Sequence, residues 1–274
     1  MNQTPWPARV LTLAVLALGA CQQVPVTGRS ALNLVNHDDV LRVSALTFEK
    51  LKHDNGVISD ARMNDQLRRV GVRLSHVVFW DIPDADWEFV VLNQPSVINA
   101  HSMAGGKIAV TSGFFRIIEN DDQLAWVVGH EMAHLAAHHS DERISRGMIS
   151  QGGALAVAAG GAASGGLQGA QAAVQAYNLP AGLLSLSFDR SQELEADYIG
   201  LIYMARAGYD PEQGARMFDN MVEAKTASGA PIPAAIFSTH PSYPDRADQL
   251  RAKTPEAVEV YRRRGMQSAP IIIR

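Results

Sequence analysis

The chain of 274 residues contains a single cysteine. One cysteine excludes an internal disulfide framework and a structural zinc site built from several cysteines. The chain also lacks an excess of positive charge, because its formal net charge is −4 at pH 7. This balance gives no support for nucleic-acid binding. Aromatic residues are scarce at 7%, but hydrophobic residues reach 47%, which is enough for a hydrophobic core. The length of the chain suits one large domain or two small ones.

The N-terminal apolar run, residues 10–20, is too short for a membrane-spanning helix of about 20 residues. Its length suits the hydrophobic region of a secretory signal peptide. It ends at Leu18-Gly19-Ala20-Cys21, which resembles the bacterial lipobox, where the signal is removed and the cysteine is lipidated. An ordinary signal peptide followed by an incidental cysteine is the alternative.

The lipobox divides the chain into three expected parts: a lipoprotein signal peptide (1–20), a polar lipidated tether (21–36) and a single domain (37–274). Lipidation of Cys21 would anchor the protein to the lipid bilayer of a bacterial cell envelope. Gln22 follows the cysteine, and this position lacks the aspartate linked to inner-membrane retention in enteric bacteria. We therefore expect the outer membrane, with the domain facing the periplasm.

Hydrophobic periodicity indicates a mainly helical α+β fold. Apolar residues at helical spacing predict helices over residues 40–55, 60–76, 121–139, 191–207, 211–222 and 244–253, followed by a tail. Short segments rich in β-branched residues predict strands over residues 87–92, 97–103 and 107–111. Gly105-Gly106 suits a hairpin turn, so a small antiparallel sheet is expected before the helix over 121–139. Asp121 or Asp122 is the expected N-cap of that helix.

Residues 151–173 consist mostly of glycine, alanine, serine and glutamine, with almost no charge. A transmembrane hairpin is one interpretation. The repeated glycines and modest apolarity favour a mobile loop or a loosely packed helix instead.

The helix over 121–139 carries His130-Glu131-Met132-Ala133-His134, which fits the pattern H-E-x-x-H. Residues four apart lie on one helical face, so His130 and His134 can bind one zinc ion. Glu131 then lies beside the remaining coordination position and can act as general base toward water there. A solvent-facing helix with a chance match is the weaker interpretation.

A catalytic zinc site needs a third protein ligand. The metzincin pattern would place a third histidine where this chain has Ser140, so that pattern fails. A carboxylate from a later helix is the other solution, and Glu193 and Asp197 lie four residues apart. Glu193 can be the ligand, while Asp197 accepts a hydrogen bond from a ligating imidazole. Glu195 is expected to point elsewhere, and a solvated acidic helix start is the alternative.

With these motifs the chain resembles zinc metallopeptidases of the gluzincin type, the group of the CAAX prenyl protease, the HtpX heat-shock protease and bacterial periplasmic lipoprotein proteases. The shared pattern is H-E-x-x-H followed by E-x-E-A-D. The resemblance covers roughly residues 25–253. Further matching segments are Pro25-Val26-Thr27-Gly28-Arg29, Asn99-Ala100, Gly105-Gly106-Lys107-Ile108 and Ser238-Thr239-His240-Pro241, with Arg246 after them.

The resemblance implies a zincin-type metalloprotease domain and roles for individual residues. Asn99 and Ala100 would lie on an edge strand that receives substrate by β-augmentation. His240 would be catalytic, stabilising the oxyanion, or would cap the zinc in a latent state. Arg246 would orient Asp197 or the substrate backbone. Ala104 departs from the proline that often precedes Gly-Gly in the group, which leaves the shape of this turn open.

The other histidines are expected to have ordinary roles. His139 is expected to be structural, and His101 flanks the substrate strand. A second group is expected at the surface or at helix ends: His37, His53, His76 and His138.

The sequence therefore predicts a zinc endopeptidase of the bacterial envelope with one Zn²⁺ per subunit. Its partners would be protein or peptide substrates, and the resemblance implies misfolded or misassembled envelope proteins. The outer-membrane assembly machinery is a further expected partner. The main alternative is a periplasmic chaperone or assembly factor whose zinc site is kept shut by His240. A structural lipoprotein with coincidental motifs is a third possibility.

Overall fold

A computed structural model describes residues 21–147, 187–226, 236–241 and 245–267. The segments 1–20 and 151–173 lie outside these residues. The strands are β1 (Cys21–Gln23), β2 (Ser30–Leu32), β3 (Glu88–Leu92), β4 (Ala100–Met103) and β5 (Lys107–Thr111). The helices are α1 (His37–Asn55), α2 (Ala61–Ser75), α3 (Asp121–Ala136), α4 (Arg190–Ala207), α5 (Glu212–Thr226), α6 (Ile236–Thr239) and α7 (Arg246–Gln267).

The three-stranded sheet has the order β3-β5-β4. The prediction of a mainly helical α+β fold with a small antiparallel sheet before the motif helix is confirmed. The hairpin β4–β5 is antiparallel, and both turn glycines have positive φ angles, 83° at Gly105 and 78° at Gly106. β3 joins β5 in parallel. The central strand contains fully buried Ile108, Ala109 and Val110, and the central position buries such a strand most completely.

The N-terminal segment differs from the expected tether. β1 and β2 form an antiparallel pair around the turn that contains Pro25 to Arg29. Val24 and Ala31 are buried, so this segment gains stability by packing apolar side chains against the domain. Arg29 forms ion pairs with Glu195 and Glu142. The domain therefore begins before residue 37.

Helix α3 begins at residue 121 as predicted, but its N-cap and its last residue differ from the prediction. Its N-cap is Asn120, whose side chain accepts a hydrogen bond from the backbone N–H of Gln123. Asp121 and Asp122 instead occupy the first turn, where carboxylates interact favourably with the helix dipole. The helix ends at Ala136, because His138 adopts a left-handed φ of 52°. Residues 139–147 then form a separate helical segment.

Helices α3 and α4 cross in close contact at a pair of glycines. A Cβ atom on Gly200 would lie 2.9 Å from the backbone nitrogen of His130. A Cβ atom on Gly129 would lie 3.1 Å from the carbonyl oxygen of Gly200. The absence of side chains at both positions lets the two backbones approach. This crossing brings the H-E-x-x-H motif against the helix that carries Glu193.

The C-terminal helix α7 is longer than the expected short helix and tail. It continues through Pro255 to Gln267. Leu250 on one side of the proline and Ala257 on the other are both buried. Burial on both sides of Pro255 compensates for the backbone hydrogen bond that proline cannot donate.

None of the helices within the described ranges is both long enough and apolar enough to span a bilayer.

Candidate metal centre

Three side chains from two helices converge in the interior of the domain. His130 and His134 lie on α3, and Glu193 lies in the first turn of α4. The Nε2 atoms of the two histidines are 3.0 Å apart. Glu193 Oε1 lies 3.5 Å from His134 Nε2, and Glu193 Oε2 lies 3.7 Å from His130 Nε2. All three side chains are buried.

These separations fit a zinc ion. Two ligands at about 2.0–2.2 Å from zinc in tetrahedral geometry lie about 3.3–3.6 Å from each other. The observed separations of 3.0 to 3.7 Å bracket this range. Burial and the neighbouring His130 lower the pKa of His134 well below its usual value, so this imidazole is neutral, as a metal ligand must be. Two imidazoles and one carboxylate can therefore hold a metal here.

Asp197 and Arg246 support this group from behind. Asp197 Oδ1 lies 3.0 Å from His130 Nδ1. The guanidinium of Arg246 contacts Asp197 at 2.7 Å and Glu193 at 2.5 Å. Burial opposes ionisation of Asp197, but the charge of Arg246 and the contact with His130 outweigh it and hold the pKa at about 2. The ionised carboxylate favours the His130 tautomer that leaves Nε2 free to bind metal.

His240 completes the group on its fourth side. Its Nδ1 atom lies 3.3 Å from His130 Nε2 and 3.0 Å from Glu193 Oε1. These are ligand-to-ligand distances for a single metal ion. His130, His134, Glu193 and His240 each offer a donor atom within 4.8 Å of the others. His240 is therefore a fourth residue that could bind a metal held by the other three.

Glu131 lies beside His240. Its Oε1 atom is 3.4 Å from His240 Nε2, and its Oε2 atom accepts a hydrogen bond of 2.7 Å from Ser102 Oγ on β4. The cavity next to His130, Glu131 and His240 measures only about 10 Å³, about the space of one water. The site is therefore closed in this conformation.

Strand β4 runs past Glu131 with one edge unpaired. Within the described residues no strand pairs with β4 on the side away from β5. Thr111 N–H donates to Asn99 C=O, so the alternating pattern turns the backbone of Ala100 and Ser102 toward the outer edge. Ala100 N–H donates a hydrogen bond of 3.0 Å to the side-chain oxygen Oδ1 of the preceding residue, Asn99. Asn99 and Ala100 are themselves buried, so a peptide here would replace the Asn99 contact.

His101 also lies near the motif. Burial lowers the pKa of His101 to about 4, although the charge of Glu131 opposes this shift. Its imidazole is therefore neutral at pH 7. It contacts the amide of Asn99 at 3.3 Å.

A chain of polar contacts behind His134 was missed by the sequence analysis. His134 Nδ1 lies 2.8 Å from His139 Nδ1, and His139 Nε2 lies 3.0 Å from Glu195 Oε2. Glu195 also accepts hydrogen bonds from Thr27 and Arg29. The side chain of Glu195 faces the N-terminal segment and accepts hydrogen bonds from that segment.

This chain of contacts defines proton positions. If His134 binds metal through Nε2, its Nδ1–H donates to His139 Nδ1, and His139 Nε2–H donates to Glu195. Burial lowers the pKa of His139 despite the opposing effect of Glu195, which keeps His139 neutral for this role. The second glutamate of E-x-E-A-D and the Thr27-Gly28-Arg29 segment were visible in the sequence, but nothing in their spacing showed that they meet.

We predict that replacing His139 by phenylalanine weakens zinc binding about 10- to 100-fold, because His134 loses the acceptor that fixes its tautomer. His139→Asn retains an acceptor near the position of Nδ1 and should bind zinc close to the wild-type affinity. Competition with a chromophoric chelator measures both constants, and circular dichroism checks the fold. Equal affinities in the phenylalanine and wild-type proteins would exclude this positioning role.

Comparison with known proteins places this geometry in context. The chain is similar to the mitochondrial metalloendopeptidase OMA1 of Schizosaccharomyces pombe, with 31% identity over 86% of this chain and 67% of the relative. It is also similar to the β-barrel assembly-enhancing protease of Escherichia coli, with 26% identity over 86% of this chain and 49% of the relative. The metalloprotease LoiP of Escherichia coli is 32% identical over 56% of this chain and 58% of the relative.

The chain spans about half to two thirds of the length of these relatives. Residues 61–254 match the family model described as Peptidase family M48. This range includes both helices of the metal centre and His240. The match and the named metalloendopeptidases support the prediction of a metalloendopeptidase. The chain therefore belongs to peptidase family M48.

Proposed function

We propose that this protein is a zinc-dependent endopeptidase in which His130, His134 and Glu193 bind one zinc ion. The observation that carries this proposal is the convergence of these donors at separations of 3.0 to 3.7 Å, with Glu131 beside them. Zinc, when bound, would supply Lewis acidity, lowering the pKa of a water at the site to about 7 and polarising the scissile carbonyl.

Glu131 is the general base in this proposal. Its Oε1 atom faces the opening, where it takes a proton from the attacking water and later returns it to the leaving amine. Ser102 donates to Oε2, which fixes the carboxylate orientation and leaves Oε1 for the proton transfer.

The outer edge of β4 is the proposed substrate site. An extended peptide would pair with the backbone of Ala100 and Ser102 by β-augmentation. Because Ser102 contacts Glu131, a peptide in this register passes next to the catalytic carboxylate. Asn99 would release Ala100 N–H when the peptide binds.

We predict that Glu131→Gln lowers cleavage of an unfolded model protein such as casein at least about 100-fold, because the amide cannot take the proton. Zinc content should stay at the wild-type level, since Glu131 is not a ligand. Gel densitometry measures cleavage and elemental analysis measures zinc. The exposed Glu259→Gln serves as matched control. Full activity of the Glu131 variant would contradict the proposed base.

A latent state has specific support from His240. The Nδ1 atom of His240 lies at ligand distance from His130 and Glu193, and the adjacent cavity admits little more than a water. We infer that His240 caps the metal until substrate or a partner displaces it. If His240 did not cap the metal, its imidazole could instead donate to the oxyanion of the scissile carbonyl. The same closed geometry supports a second candidate function, a chaperone or assembly factor whose zinc site stays shut.

We predict that His240→Ala cleaves casein several-fold faster than wild type, because the fourth position is then open. Initial rates with equal zinc loading measure the effect, and the exposed Ser238→Ala is the control. A rate below wild type would contradict capping and favour direct oxyanion stabilisation. Absence of cleavage by both proteins would favour the chaperone role.

We further propose that the protein belongs to the lipoprotein branch of the CAAX prenyl protease and HtpX group and acts in the bacterial envelope, at the outer membrane. The apolar run 10–20 and the lipobox ending at Cys21 support this location. Misfolded or misassembled envelope proteins would be its substrates, as the name of the β-barrel assembly-enhancing relative suggests by analogy. Proteins trapped on Glu131→Gln in its native envelope test this assignment, and recovery of cytosolic proteins alone would contradict it.

We predict that Cys21→Ser moves the protein from the membrane fraction to the soluble periplasmic fraction, because the acyl chains that anchor it are lost. Fractionation with immunoblotting, together with labelled palmitate, provides the measurement. A wild-type protein that incorporates no label, or a variant that stays on the membrane, would contradict lipid anchoring.

A further inference from the structure

A second group of possible ligands lies next to the C-terminal end of α3. It consists of His37 at the start of α1 and of His138 and Asp141 just after α3. Asp141 Oδ2 lies 2.9 Å from His37 Nδ1 and 3.2 Å from His138 Nδ1. The two imidazole rings meet edge to face with centroids 5.1 Å apart. From the sequence both histidines are expected at the surface, but the fold brings their Nδ1 atoms to one carboxylate oxygen.

The outer nitrogen of each ring has its own partner. His37 Nε2 lies 2.6 Å from Asp84 Oδ2, and His138 Nε2 lies 2.9 Å from the side-chain amide of Gln22. The amide can present its oxygen to an N–H by rotation. Ligating histidines in proteins have this arrangement, with one nitrogen on the metal and the other N–H on a carboxylate or carbonyl.

The space and the backbone also suit an ion. A cavity of about 20 Å³ is lined by His37, Asp84, His138 and Asp141, which exceeds the space of a single water. His138 holds its ring there through a left-handed φ of 52°, a conformation that costs free energy for a non-glycine residue. Asp141 is almost fully buried, as a ligand inside the fold would be.

We propose that His37, His138 and Asp141 form a second binding site for a divalent transition metal, most suitably Zn²⁺. Two imidazoles and one carboxylate are donors that zinc accepts in tetrahedral sites. Their separations of 2.9 and 3.2 Å need only a few tenths of an ångström of expansion to reach about 3.3 Å. This proposal does not depend on the catalytic function proposed above.

Without metal, a proton on His37 Nδ1 lies between this nitrogen and Asp141 Oδ2. The hydrogen bond to Asp141 raises the pKa of His37 to about 9, against the opposing effect of burial, and Asp84 adds to the shift. The imidazolium then donates to both carboxylates. Zinc would replace the Nδ1 proton and leave the Nε2–H bond to Asp84 in place.

Metal binding here would join the N-terminal segment to the catalytic helix. Gln22 lies in β1 and His37 follows the β1–β2 hairpin, while His138 and Asp141 follow the H-E-x-x-H motif. A metal bound here would therefore stabilise the contact between the N-terminal segment and the C-terminal end of α3, which carries His134.

Zinc stoichiometry of the mature full-length chain tests the proposal. Protein stripped with a chelator is dialysed against Zn²⁺ alone, and bound zinc is measured by elemental analysis. We expect about two zinc ions per chain in wild type and about one in His130→Ala/His134→Ala. The variant His37→Gln/His138→Asn should also bind about one, and asparagine at position 138 tolerates the left-handed backbone. The exposed pair His53→Ala/His76→Ala is the matched control and should keep two.

Thermal unfolding gives a second measurement that does not rely on the His37/His138 variant. In His130→Ala/His134→Ala, addition of Zn²⁺ should raise the unfolding midpoint, because the remaining site binds only the folded chain. The proposal is overturned if this variant binds no zinc and gains no stability. It is also overturned if His37→Gln/His138→Asn still binds two zinc ions. Loss of zinc from the His130/His134 site alone would instead concern the catalytic centre.

Discussion

The close crossing of α3 and α4 at Gly129 and Gly200 sets the geometry of everything around the metal centre. Any Cβ atom on Gly200 would contact the backbone of His130 at about 3 Å, so a larger residue would push the helices apart. Because His130 and His134 come from one helix and Glu193 from the other, the three donors meet only while this contact holds. The distances between donors, 3.0 to 3.7 Å, leave little tolerance for such a shift.

Charge balance provides the second constraint. Glu193 and Asp197 are two buried carboxylates, and the equally buried Arg246 reaches both of them. Removing one partner from a buried ion pair costs about 3–5 kcal/mol, because the other charge stays unpaired. Arg246 thus stabilises the fold and orients the proposed ligand at once. The contacts from His134 through His139 to Glu195 extend the same principle to the N-terminal segment, where Arg29 supplies the positive charge.

The helices and the residues of the metal centre could be predicted from the sequence. In H-E-x-x-H and E-x-E-A-D the functional residues are four apart, and this spacing places them on one face of a helix. Contacts between residues far apart in the chain could not be predicted in this way. The folding of residues 21–32, the parallel pairing of β3 and the continuation of α7 past Pro255 each depend on burial against distant elements. His37 and His138 looked like surface residues for the same reason, since 101 positions separate them in the chain while their rings meet in space.

The proposed metal centre requires one zinc ion bound by residues of both α3 and α4. Anomalous diffraction at the zinc edge, from crystals of the zinc-loaded protein, tests this most directly. We expect a peak about 2.0–2.2 Å from His130 Nε2, His134 Nε2 and one carboxylate oxygen of Glu193. Zinc that contacts the two histidines while Glu193 turns away to Arg246, or no peak between α3 and α4, would contradict it.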